Sequence, residues 1–255
     1  MSKTQQIRAI ARYGQTYRIE HLRNHITRRS HYRQDAHAAL LFYFNYMFMR
    51  GRRDELSMRF YERACEVLTE IKSEDPHYFS CWDGHRSRQL EARLQDKGVN
   101  NHGDRKMIRA TLEWLHTKLA ETDYNIVEYA IQEIRNHRLS QLYERLDAIP
   151  WVGDKLASFF LRDVVDIYKL ERWVDGCTDA PYLQPIDTWV QQVAQAIRIL
   201  APNAELKIAR RAIVLACHNV GASPIRFNQG AWYVGANSLD ILLNEFGRRK
   251  HGEHL

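Results

Sequence analysis

The sequence of 255 residues has no C-x-x-C pair, and its four cysteines, Cys65, Cys81, Cys177 and Cys217, stand far apart. That spacing excludes the usual zinc, redox and iron–sulfur ligand patterns and predicts reduced, mostly buried thiols, with no metal and no cofactor. Prolines number only 6 and glycines 12, many of them at apparent breaks, and polar–apolar alternation over the length of a strand is scarce. No internal repeat, low-complexity tract or flexible linker stands out. No window approaches the roughly 18 uninterrupted apolar residues of a membrane helix, and the polar opening MSKTQQIRAIARYG lacks the apolar centre of a secretory signal. The expectation is a cytoplasmic protein, nucleoid-associated if bacterial, with no membrane partner and nothing that demands more than a monomer.

What is present is helical periodicity. Hydrophobic residues make up 45 % of the chain, enough for a packed core. They recur at three- and four-residue steps, as in Leu40, Phe44, Met47, Phe48 and in Ile108, Leu112, Leu115, Leu119. The pattern predicts an all-α protein with helices near 4–29, 35–50, 53–72, 86–97, 104–121, 123–136, 139–147, 154–168, 187–200, 204–219 and 236–247. The longest irregular piece runs from Lys169 to Pro185, and a connection of that length is often functional. The formal charge of +6 is localised. Residues 1–35 carry Lys3, Arg8, Arg12, Arg18, Arg23, Arg28, Arg29 and Arg33 against Glu20 and Asp35, and the remainder is close to neutral. Localised basicity favours an acidic partner such as nucleic acid.

One stretch, LDAIPWVGDKLASFFLRDV from Leu146 to Val164, places a lysine at the front of an apolar helix directly after a tight turn. Gly153 permits the turn, and the helix beginning at Asp154 or Lys155 leaves its first amides unpaired at the positive end of the helix dipole, a seat for a backbone phosphate. Leu156, Phe159 and Phe160 would desolvate the Lys155 ammonium and favour the neutral amine that a nucleophile requires. Farther on, LQPIDTWVQQVAQAI places Asp187 where a helix N-cap belongs, and capping alone accounts for that residue.

Together, I-P-W-V-G-D-K (Ile149 to Lys155) and P-I-D-T-W-V (Pro185 to Val190) resemble the paired motifs of the helix-hairpin-helix DNA glycosylases, the superfamily of endonuclease III, the adenine glycosylase and the 8-oxoguanine glycosylases. The likeness covers residues 139–200, and the segment between the motifs looks most like that of archaeal-type 8-oxoguanine glycosylases. Trp151 departs from the pattern, standing where the hairpin has its first glycine, and the four-cysteine cluster of endonuclease III is missing. The resemblance implies two helical subdomains, residues 1–35 with 201–255 and residues 36–200, the hairpin motif at 139–168, and an active site in the cleft between them. Lys155 falls on the lysine nucleophile of the bifunctional members and Asp187 on their catalytic aspartate.

The resemblance also implies an enzyme that flips a damaged or modified base out of double-stranded DNA, because a stacked base cannot be attacked in place. An oxidised purine, 8-oxoguanine, is the leading substrate. Trp151, Val152 and Gly153 would meet the DNA backbone, and Arg50, Arg52 and Arg53, in the loop after an early apolar helix, would fill the vacated stack and bind phosphates. Phe159, Phe227, Gln229 and Trp232 are candidates for the base pocket, the last three in an aromatic and amide-rich loop, FNQGAWYVGANSLD. Other readings stay open at this point: a monofunctional glycosylase acting on another modified base, including those of invading DNA, a non-catalytic hairpin DNA-binding protein, or a helical interaction protein with no DNA role.

Overall fold

The computed structural model describes residues 1–50 and 54–251, with side chains through residue 238. Among the described residues every regular element is helical. In chain order these are α1 (Lys3–Tyr17), α2 (Arg23–Thr27), α3 (Arg29–Gln34), α4 (Ala36–Met47), α5 (Asp54–Glu74), α6 (Gly84–Asp96), α7 (His102–Lys118), α8 (Ile126–Arg135), α9 (Leu139–Asp147), α10 (Gly153–Ile167), α11 (Thr188–Ala196), α12 (Leu206–His218) and α13 (Pro224–His251), the last broken at Ser238 (φ −152°, ψ 22°). Among the described residues no helix is long and apolar enough to cross a membrane, and no group of three or more His, Cys, Asp or Glu side chains could hold a metal ion. The four cysteines are free thiols, but only Cys217 is buried; Cys65 is half-buried and Cys81 and Cys177 are exposed, which corrects the expectation of mostly buried thiols.

Short polar side chains set at least six of the thirteen helix starts among the described residues. Ser2, Asp35, Asp83, Asn101, Asn125 and Asp187 each accept a first-turn amide with a side-chain oxygen, as an N-cap does. The long helix expected over 4–29 is interrupted by a π-helical turn at Arg18–Leu22 and ends at Thr27, with α3 following as a separate helix. Neither proline nor glycine marks these breaks, so periodicity ran the pieces together. At the other end, the loop expected around Phe227 is helix from Pro224 onward.

The chain gathers into two compact units, Arg28–Trp173, and Met1–Thr27 with Val174–Leu255. The divisions thus fall after residues 27 and 173 instead of after 35 and 200. In the unit Arg28–Trp173, α4 is apolar on nearly every side and buried from His37 through Leu40 and again at Phe42, Tyr43, Phe44, Tyr46 and Met47, as a central helix must be. Phe160 of α10 meets three of its rings, Phe42, Tyr43 and Tyr46, with centroids 5.1–6.0 Å apart.

The other unit is built on the pairing of α13 with α1 and with α11. Val190, Val193 and Ala194 of α11 share one core with Ile7, Ile10, Ile213 and Phe227, and this moves α11 into the unit formed by both termini. The α1–α13 contact depends on missing side chains. A Cβ at Gly230 would stand 1.9 Å from the Ile10 carbonyl oxygen, and one at Gly14 would stand 2.4 Å from that of Arg226. Both obstacles are backbone and cannot rotate away. Gly230→Ala should therefore force the helices apart and destabilise this unit by about 3 kcal/mol, the upper end of ordinary overpacking, measured by urea unfolding; a midpoint equal to the parent's would mean that the crossing is looser than described.

Candidate functional site

The hairpin between α9 and α10 is built from a strongly amphipathic helix and an abrupt reversal. On α9, Leu139, Leu142, Tyr143 and Leu146 are buried. The Val152 amide then donates to the Ile149 carbonyl at 3.0 Å and closes a four-residue turn. Pro150 holds its second position and Trp151, with φ +71°, its third, the pattern of a type II turn whose third residue is ordinarily glycine or asparagine. Gly153 follows at φ +70°, and a Cβ there would meet nothing within 4 Å. Ile149 and Val152, each 3 % exposed, anchor the turn, whereas Trp151 is 54 % exposed.

A left-handed tryptophan costs about 1–2 kcal/mol, so something must hold it. Two contacts do. Its ring lies on Gly103 in the first turn of α7, where an added Cβ would come within 3.0 Å of the indole. Its carbonyl accepts a hydrogen bond from Arg50 Nη2 at 2.7 Å, and a bond to a charged donor is worth about 1.5–3 kcal/mol, enough to offset the strain. Arg50 Nε stands 3.3 Å from Oδ1 of Asp104, whose side chain is fully buried. Arg50 is thus largely withdrawn from solvent as a brace between α4, α7 and the turn, which corrects its assignment to the DNA wedge. Arg52 and Arg53, the other members of that assignment, lie outside the described residues. We predict that Arg50→Ala removes the counter-charge of Asp104 and destabilises the unit by about 2 kcal/mol, somewhat less than for a fully buried pair. Thermal unfolding measures it, and an unchanged midpoint would show the brace to be ornamental.

No side chain caps α10, which begins directly at Gly153. Asp154 in its first turn accepts a hydrogen bond from the Tyr143 hydroxyl at 3.2 Å. Lys155 is half-buried, and its ammonium has no hydrogen-bond or ion-pair partner among the described residues. One turn on, Phe159 is 7 % exposed, with the Tyr46 ring at 5.3 Å and the Arg162 guanidinium 4.5 Å from its centroid. That packing takes the ring surface a flipped base would need.

In the other unit, Asp187 caps α11, its Oδ1 accepting from the Val190 amide at 2.8 Å, and it is half-buried. The backbone leading to it is pinned by two buried side chains that sequence reasoning missed. Arg210 Nε donates to the Gln184 carbonyl at 3.1 Å, and Asn228 Nδ2 donates to that of Pro185 at 3.0 Å. Neither stands near Asp187 in sequence, so no local pattern could reveal them. Trp189, 39 % exposed, is seated against Gly235.

The expected pocket residues of this unit lie deeper. Phe227 is fully buried in the core cluster, and Gln229, also fully buried, accepts from Arg226 Nη1 at 2.9 Å. Trp232 is half-buried and stands edge-on to the rings of Tyr17 and His21. As placed, Phe227 and Gln229 present no surface to a ligand, because the segment is a packed helix and not a loop.

No family model matches the chain, and no solved structure does. A stretch of 73 residues, 29 % of the chain, is 37 % identical to an uncharacterised protein of Methanocaldococcus jannaschii, and it covers 16 % of that protein. The chain therefore spans only a small part of the curated relative it matches.

Proposed function

We propose that this chain is a DNA glycosylase of the helix-hairpin-helix type with an associated lyase step, acting on an oxidised purine in double-stranded DNA. The observation that carries the reading is the backbone of the Ile149–Lys155 turn. Trp151 stands where the family's hairpin has glycine, and it nonetheless takes the left-handed φ that a glycine there supplies, with Gly153 left-handed two residues later. A strained tryptophan braced by a half-buried arginine is hard to explain as a generic helix connection. It is well suited to present the uncapped α10 amides to a phosphate.

The chemistry rests on two titratable groups. The Lys155 amine attacks C1′ of an everted nucleotide, forming a C–N bond while the glycosidic bond breaks and the base leaves with the bonding pair. Asp187 accepts the amine's proton and stabilises the positive charge that develops on the sugar. Ring opening gives an imine. Loss of a proton from C2′ then expels the 3′ phosphate and nicks the strand.

A panel of duplexes, each with one defined lesion, tests the proposal when assayed for base release with borohydride present. Release from an oxidised-purine duplex with a covalent protein–DNA adduct is the expected result. Base release without an adduct would reassign Lys155 to phosphate contact and leave Asp187 activating water, and no release across the panel would overturn the reading.

A further inference from the structure

On α8 and α9 one buried carboxylate holds two arginines. The Glu133 side chain is 5 % exposed; its Oε1 accepts from Arg138 Nη2 and its Oε2 from Arg145 Nη1, the latter at 2.9 Å. Arg145 also bonds the Tyr129 hydroxyl. Both arginine side chains are nevertheless 48 % exposed, and their other N–H groups have no partner among the described residues.

As a stability device this is excessive. One arginine suffices to neutralise Glu133, and a further half-exposed ion pair adds only about 0–1 kcal/mol. Two guanidiniums on one carboxylate leave a net positive charge and several outward donors in fixed positions, the arrangement that grips phosphate oxygens. Place matters as well. Arg138, Gln141 and Arg145 are exposed at i, i+3 and i+7 along one face of α9, and Ala148, exposed at i+10, opens the turn that leads to Trp151. From Arg138 to Arg145 the helix rises about 10 Å, one to two phosphate steps of an extended strand.

We propose that Arg138 and Arg145, held by Glu133, form a second phosphate clamp that grips the backbone of double-stranded DNA along α9, beside the hairpin. The inference rests on the DNA partner of the proposed function and not on its chemistry, so the two can fail separately.

The test is the salt dependence of binding to an undamaged duplex. Arg138→Gln and Arg145→Gln, made singly, each leave one arginine on Glu133 and so keep the buried carboxylate neutralised. Each should weaken binding severalfold and reduce the slope of log K against log salt by about 0.9, one phosphate contact. Arg145→Lys, which keeps the charge, should keep the slope. A parental slope in either glutamine variant overturns the clamp. Displacement by inorganic phosphate beyond that of chloride at equal ionic strength would assign the arginines to a free anion and overturn the DNA assignment. Reduced slopes with no base release from any duplex of the lesion panel would retain the clamp and remove the glycosylase, and base release with unchanged slopes would do the reverse.

Discussion

Lys155→Gln should abolish the borohydride adduct altogether and lower strand cleavage by at least about a thousandfold, equivalent to about 4 kcal/mol of transition-state stabilisation. Glutamine keeps a polar side chain only one atom shorter than that of lysine, but its amide nitrogen has no lone pair able to form an imine. The variant should fold as the parent does, because Lys155 is half-exposed and makes no hydrogen bond or ion pair among the described residues, and such substitutions usually fall within about 0.5 kcal/mol. Affinity for undamaged duplex should fall by no more than one phosphate contact, since the Ile149–Val152 turn and the α10 amides are untouched. An adduct that survives in the variant would show that another amine does the chemistry.

Much of the architecture was legible because helices announce themselves by period and by cap. Asp187 is the N-cap that its place before α11 marked it to be, and α9 and α10 appear within a residue of their expected limits. The failures share a physical cause, which is that one residue type serves two ends. Gly230 and Gly235 made the Phe227 segment read as a loop, yet they are glycine because Ile10 and Trp189 press against a helix at those points. Arg50 read as a DNA contact because it lies in a basic cluster, and only the position of Asp104, fifty-four residues away in the chain, shows what it pairs with. The turn was recognisable from I-P-W-V-G-D-K, but whether a tryptophan would take a glycine's backbone depended on Gly103 and Arg50, neither of them near it in sequence.

Asp187 poses a sharper problem, because capping and catalysis need the same oxygen. Its Oδ1 holds the Val190 amide, so Asp187→Ala would lose about 1 kcal/mol of cap together with any chemical role, and a fall in activity would prove little. Asparagine separates the two. It caps a helix about as well as aspartate and its amide oxygen can keep the Val190 bond, but it carries no charge and accepts no proton from an amine. Asp187→Asn should keep the parent's thermal midpoint and DNA affinity while base release drops by about a thousandfold, the scale seen when one preorganised electrostatic group is removed from a site. Activity within a few-fold of the parent would reduce Asp187 to a cap. Lys155 would then stand without the acid that the proposed mechanism assigns to receive its proton.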